Sequence, residues 1–307
     1  SEVPMRKWDI EAVATTEAKL PKAAAQSTRY GAFLDADVDF FDGDFFRTKR
    51  VEVYAMDPQQ RLLLDVGYEA LHATGYTRKT LVDANIGTFT GVMNMDAPSL
   101  APKNHYLNAY VMMGSGYSAL GARVSYAFAM RGPCQVFDTA CSSSLIATHA
   151  ARRALSEQEC DAALVAAPNL LLLAGFQHLG TAIMGMNSPR GRCHTFDDKA
   201  DGVVRGEGAG AIVLVPRDDD EEAAKNVVHC CGSAARHNGR SASFTALNGY
   251  SQTLLIRAAL ADARVASGAD VTYLEAHGTG TALGDPIEVS GACAQLCAGD
   301  RDPTAPL

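Results

Sequence analysis

At 307 residues, with 47% hydrophobic and 20% charged residues, the chain can bury a large core and has an ordinary globular composition, which excludes disorder. Its 27 basic and 35 acidic residues leave a formal charge of −8, and no Lys/Arg-rich run is present to track phosphates, so nucleic acid is not an expected partner. Eight cysteines without paired CxxC spacing, no apolar stretch of membrane length and no signal-like start point to a reduced compartment, the cytoplasm or an organelle, and to no membrane span.

The stretch up to about residue 50 reads as irregular structure anchored by Phe40-Phe41 and Phe45-Phe46. Asp57-Pro58 then supplies an N-cap and a first-turn proline, and Leu62, Leu63, Val66, Ala70 and Leu71 follow at helical spacing. Residues 85–91 read as a buried strand and 115–130 as a helix of small and aromatic residues. Gln135-Val136-Phe137 is strand-like and leads into a small-residue helix from Ile146 to Leu155. Residues 162–166 suit a central strand, 187–210 ordered loops rich in Gly, Arg and Asp, and 211–215 another strand. The charge run from Arg217 to Glu222 marks the internal boundary. Beyond it the pattern predicts a strand at 226–231, a helix at 250–264, a strand at 271–275 and a helix at 286–296. Alternating strands and helices argue for α/β layers around mostly parallel strands.

Two segments carry chemistry. Cys141 stands in Asp138-Thr139-Ala140-Cys141-Ser142-Ser143-Ser144-Leu145, between a strand and a helix. A sharp strand-to-helix turn lifts the thiol above the sheet and aims the helix's unpaired N–H groups at it, which favours thiolate and offers donors to an acyl oxygen. A cysteine is ordinarily a small buried hydrophobe, but Gly132-Pro133 before the strand and three serines after the thiol leave room for a substrate near the backbone. The second segment is Glu275-Ala276-His277-Gly278-Thr279-Gly280-Thr281, after Thr272-Tyr273-Leu274. A lone histidine is usually structural. Here it ends a strand, where α/β folds place their chemistry, among hydroxyls and glycines suited to a polar, extended ligand. Cys293 and Cys297, four apart on a helix with no matching His or Cys pair, read as packing residues rather than a zinc site.

Together these residues resemble the ketosynthase domain of type I polyketide synthases, in the β-ketoacyl synthase group with the thiolase-like fold. Matching stretches run collinearly over almost the whole chain: Met56-Asp57-Pro58-Gln59-Gln60-Arg61-Leu62-Leu63-Leu64, Gly132-Pro133 through Leu145, Ser188-Pro189-Arg190-Gly191-Arg192-Cys193, Phe196-Asp197 through Gly208, and Glu275 through Thr281 with Leu283-Gly284-Asp285-Pro286-Ile287-Glu288. The resemblance implies a layered α-β-α-β-α fold with two related mixed sheets, incomplete here. It implies an N-terminal half over 1–217 with the nucleophilic cysteine, and the start of a C-terminal half over 218–307 with the first catalytic histidine.

By the same resemblance, Cys141 accepts an acyl chain from the phosphopantetheine of acyl carrier protein as a thioester, and a malonyl-type extender condenses with it after losing CO₂. His277, as neutral imidazole, stabilises the enolate oxygen, and Thr279 and Thr281 hydrogen-bond the pantetheine amides. No metal and no bound cofactor is expected. The implied partners are acyl carrier protein, a neighbouring acyltransferase domain and a second copy of the chain, docked near Val136 and the apolar segment Leu170–Leu173. Met112-Met113 and Phe176 are candidate acyl-pocket residues.

The chain departs from the family pattern in three ways. It lacks the second active-site histidine and its lysine, it starts at a point inside the family's domain, and Arg47-Thr48-Lys49-Arg50-Val51 replaces a Ser-Pro-Arg pattern. It therefore reads as a fragment truncated at both ends and inactive by itself. A type I fatty-acid synthase ketosynthase is the runner-up, and a non-catalytic dimerisation scaffold is the alternative of another class. A decarboxylating loading ketosynthase would carry Gln in place of Cys141, and a thiolase would need a second, glycine-flanked cysteine.

Overall fold

Asp57 opens a helix over Pro58–Ala73 (α1), its carboxylate accepting the Gln59 N–H at 2.7 Å with Pro58 in the first turn, in the computed structural model, which describes residues 2–16, 20–35, 37–96, 109–216 and 228–297. The run Arg217–Glu222 lies outside the described residues, as does the side chain of Phe176. The chain divides into two compact units, one formed by Ala32–Leu173 with Gly206–Asn226, the other by Ser1–Gly31, Ala174–Arg205 and Val227–Leu307.

The first unit is built on a mixed sheet in the order β2-β1-β3-β4, with β1 at Ile86–Gly91, β2 at Cys134–Phe137, β3 at Ala162–Asn169 and β4 at Gly208–Leu214. β1 runs parallel to both neighbours and β4 antiparallel to β3. The expectation of mostly parallel strands thus holds for the centre, and the antiparallel β4 closes one edge. Side chains alternate across the pleat. Ile86, Ala162, Leu164 and Ala166 point into one core with Leu63, Leu64 and Leu71 of α1 and Leu120, Val124 and Phe128 of a helix at Tyr117–Phe128 (α2). Phe89, Ala163 and Val165 face the other way, against Ala147, Ala151 and Ala154 of a helix at Ser143–Ser156 (α3). Alanines at i, i+4 and i+7 let α3 lie close to the sheet, and that closeness sets how the preceding turn meets the strand ends. Every residue of β1 is buried, whereas β2, at the edge, is half exposed.

The N-terminal stretch is more regular than its composition suggests, with short helices at Ile10–Thr16 and Lys22–Ser27. Of the four phenylalanines expected as anchors, Phe45 packs edge-on against Tyr68, Phe46 against Phe128, and Phe41 stacks on Phe46. Phe40 is 81% exposed and anchors nothing.

The second unit pairs a helix at Gly249–Asp262 (α4) with one at Gly284–Leu296 (α5), as the spacing predicts. The strands expected at 226–231 and 271–275 do not form among the described residues. An apolar pattern specifies which face a strand would bury, but a ladder needs a neighbour to exchange hydrogen bonds with. Val228 and Tyr273 stand 99% and 73% exposed. No described helix is long and apolar enough to cross a membrane.

His178 is a buried titratable group in this unit. It is fully shielded, its Nε2 donates to the Thr28 carbonyl at 2.9 Å, and Trp8 lies 5.3 Å away centroid to centroid. Nδ1 is buried without a hydrogen-bond partner. Burial holds the imidazole below its ordinary pKa; the Thr28 carbonyl opposes this and Arg205 adds to it. Below about pH 6.5 the unfolded chain binds a proton that folded His178 refuses, so stability falls as pH drops through that value. Urea denaturation at several pH values should show this loss, and His178→Gln should flatten the profile on its acid side.

Candidate active site

The turn after β2 is stretched over a short distance by its own side chains. Ala140 sits in the left-handed region at φ 56°, which costs a residue with a Cβ about 1–2 kcal/mol. Side-chain hydrogen bonds hold it there. The Asp138 carboxylate accepts the Ala140 N–H at 3.1 Å, and the buried Ser143 hydroxyl accepts the Thr139 N–H at 2.9 Å while donating to the Ala140 carbonyl at 2.7 Å. Ser142 donates to the Thr139 carbonyl at 2.9 Å. Cys141, in the 3₁₀ turn Ala140–Ser142 that leads into α3, is exposed. The turn rests on the end of β1, where Gly91 meets the backbone of Ser143 and Ser144. A Cβ on Gly91 would fall 2.6 Å from the Ser143 carbonyl carbon, so only glycine fits.

Beside this turn lies a hollow of about 370 Å³ lined by Tyr117, Ser118, Cys134, Val136 and Asp138. Burial first, then Asp138, pushes the Tyr117 phenol up, so it stays a neutral donor near neutral pH. Met112 and Met113 are 83% and 55% exposed.

His277, Thr279 and Thr281 fall in one loop of the second unit. Two carboxylates of α5 hold this loop. Glu288 accepts the His277 N–H at 2.6 Å with one oxygen and the Gly278 N–H at 2.8 Å with the other. Asp285, 4% exposed, accepts the Gly280 N–H at 3.0 Å and, through its second oxygen, the Phe196 N–H at 2.8 Å. Gly278 and Gly280 take φ of 52° and 69°, the conformations that bring successive amides round to the same helix end. The loop is also tied to the segment before it, since Thr195 donates to the Gly278 carbonyl at 2.7 Å and Gly202 to that of Gly280 at 2.9 Å. The hydroxyls of Thr279 and Thr281 lie 3.0 Å apart, and that of Thr281 also accepts the Gly284 N–H. Thr281 lines a groove of about 480 Å³ with Phe196, Asp197, Asp285, Pro286 and Val289. The exposed imidazole of His277 is thus carried on a backbone fixed by two carboxylates.

The structure brings His277, Thr279 and Thr281 together, and it places Cys141 in the unit that holds the sheet. In the sequence Asp285 and Glu288 are part of a motif without a task; in the structure they hold the histidine loop. Two carboxylates three residues apart at the start of a helix, just after a Gly/Thr loop, are the signal that could have found them. Asp285→Asn replaces a charged acceptor with one whose amide opposes an N–H. It should cost about 1–3 kcal/mol, read as a lower urea midpoint with unchanged slope.

The family model described as "Beta-ketoacyl synthase, N-terminal domain" matches residues 1–220, and that of the "Beta-ketoacyl synthase, C-terminal domain" matches 228–307. Among curated relatives, the chain is 41% identical over 293 residues to a phenolphthiocerol/phthiocerol polyketide synthase of Mycobacterium tuberculosis, covering 94% of this chain and 13% of that protein. It is 40% identical over 309 residues to the polyketide synthase ThaG of Burkholderia thailandensis, covering 99% of this chain and 5% of that one. Among solved structures, the ketosynthase from module 6 of the bacillaene synthase of Bacillus subtilis superposes with a TM-score of 0.83 at 32% identity, over 99% of this chain and 50% of that one. A Streptomyces albus oxazolomycin ketosynthase domain gives 0.82 at 33%, over 98% and 52%. The chain therefore spans about half the length of these solved ketosynthases and a small part of the curated synthases. The fold is the thiolase-like α/β fold of those domains.

Proposed function

The chain belongs to the β-ketoacyl synthase family, and from that membership we propose that it is the ketosynthase of a polyketide synthase, an acyltransferase that extends a carrier-bound acyl chain by decarboxylative condensation. The observation that carries this reading is the exposed Cys141 on a strained strand-to-helix turn. The thiolate of Cys141 attacks the thioester of an acyl chain on the phosphopantetheine of acyl carrier protein; an acyl C–S bond forms and the carrier thiol leaves. A malonyl-type extender on a carrier loses CO₂, and the electrons of the broken C–C bond pass into an enolate. Neutral His277 donates a hydrogen bond to the enolate oxygen. The carbanion attacks the acyl thioester, the bond to Cys141 breaks, and the β-ketoacyl product leaves on the extender's carrier. Thr279 and Thr281 hydrogen-bond the pantetheine amides, and no bound metal or cofactor takes part.

On this reading residues 1–217 are the nucleophile half and 218–307 the start of the histidine half. The partners are acyl carrier protein, an acyltransferase domain and a second copy of the chain in the cytoplasm. The exposed edge strand β2 is the surface proposed for that second copy, at an interface of upward of about 2,000 Å². Leu170 and Leu171 are buried within the chain, which leaves only Leu172 and Leu173 of that segment for such a contact.

Intact mass of the complete protein after incubation with an acyl thioester should show a single acyl adduct that Cys141→Ala abolishes. No adduct on a folded dimer would favour the scaffold reading. A second expectation concerns the 307 residues expressed alone. With no strand at 228–231 or 271–275 among the described residues, and Val228 and Tyr273 standing in solvent, they should elute as aggregate in size-exclusion chromatography and condense nothing; turnover near that of the complete protein would contradict this.

A further inference from the structure

The two glutamines after Asp57-Pro58 are 1% exposed each, and neither is used by the reaction proposed above. Gln59 closes a ring of three hydrogen bonds. Its Nε2 donates to the Asn94 carbonyl at 2.6 Å, Asn94 Nδ2 donates to the Leu170 carbonyl at 2.9 Å, and the Leu170 N–H donates to Gln59 Oε1 at 3.0 Å. Asn94 and Leu170 are 2% and 1% exposed, so the ring is buried. The next amides continue the pattern: Leu171 donates to Glu207 at 2.9 Å, and Leu172 and Leu173 both donate to Asp96, at 2.9 and 3.1 Å.

As a means of holding a loop, this ring is unfavourable in one respect. Asn94 Oδ1 is buried without a hydrogen-bond partner, and such an orphan costs about 1–3 kcal/mol that an apolar side chain would avoid. What the ring does hold is the chain just past β1. Gly91, in backbone contact with Ser143 and Ser144, is at one end of the segment 91–94. Val92 lies between, its N–H donating to the Phe137 carbonyl at 2.9 Å and its carbonyl 3.4 Å from the Ser143 hydroxyl. Asn94, pinned by Gln59 and Leu170, is at the other end. The segment is therefore fixed at one end by the ring and pressed at the other against the turn that bears Cys141. Gln60 works alongside, donating to the Met113 and Gly114 carbonyls at 2.9 and 3.0 Å and accepting from Arg123 at 2.7 Å. It acts on a different segment.

We propose that Gln59 and Asn94 are positioning residues for Cys141: their ring with Leu170 sets the height of segment 91–94, and that segment sets the height of the nucleophile's turn. The proposal rests on the reading of Cys141 as acyl acceptor. Displacing a reacting group by about 1 Å can cost about 10²-fold in rate. The test uses the complete protein with Gln59→Met, which removes two of the ring's hydrogen bonds, and Asn94→Leu, which removes the third, singly and together, both replacing an amide by an apolar side chain of similar shape. Two quantities are read: the pH profile of Cys141 alkylation by iodoacetamide, followed by peptide mass spectrometry, and the rate of Cys141 acylation by an acyl thioester.

The expected result is a shifted alkylation profile and acylation slower by about 10- to 100-fold, with the double variant no worse than the poorer single one. Leu71→Ala, at the far end of α1, serves as a variant that lowers melting temperature without touching the segment, and its profile should match wild type. Wild-type profiles and acylation in both ring variants, or the same shift in Leu71→Ala, overturn the proposal. If one ring variant fails to fold, the other decides. Should wild-type Cys141 alkylate but never acylate, the acyl-acceptor reading fails while the alkylation profiles still judge the positioning role.

Discussion

A backbone N–H that leaves a helix or strand and is shielded from water must find an acceptor, and in the loops of this chain the acceptor is repeatedly a side chain. Asp57, Gln59, Asp96, Glu207, Asp285 and Glu288 each take one or two amides from segments that have no ladder to join. Charged acceptors make such hydrogen bonds stronger than neutral ones, so a loop can be held as firmly as a strand while its outward face stays open. The two segments with catalytic potential are both supported in this way. Ser143 and Asp138 hold the cysteine turn, and Glu288 and Asp285 hold the histidine loop.

The sheet supplies the other half of that support. Its central strand β1 is buried on both faces and ends in Gly91, which lets α3 begin almost on top of the strand. The alanine face of α3 keeps the helix low over Phe89, Ala163 and Val165. The cost of the left-handed Ala140 is met by these surroundings, since a turn that relaxed would have to lift α3 from the sheet or break the Ser143 hydrogen bonds. The position of the Cys141 turn and the packing of the sheet are thus tied together at one point: Gly91, Ser143 and the alanine face of α3 place the residue that carries the thiol.

His178 shows the opposite arrangement. A fully buried imidazole with one ring nitrogen unmet adds nothing to the proposed reaction, and its place against Trp8 and Thr28 makes the unit sensitive to acid. No pattern in the sequence marks it, because Phe176-Gln177-His178 reads the same whether the ring faces solvent or core.

The sequence by itself determined the elements whose pattern is local. Asp57-Pro58 and its apolar spacing fix α1, short apolar runs mark β1 and β3 as buried strands, and Asp138 to Leu145 marks the cysteine turn, because capping, local composition and small residues act within a few positions. The tertiary structure alone decided what depends on distant neighbours. Whether 271–275 becomes a strand depends on a partner for its hydrogen bonds. Whether Leu170 and Leu171 face outward depends on Gln59 and Glu207, which lie 111 and 36 residues away in the chain. That Asp285 and Glu288 hold the histidine loop depends on how a helix end meets it. A motif records which residues are present; the acceptor that each amide finds is settled only when the chain has closed on itself.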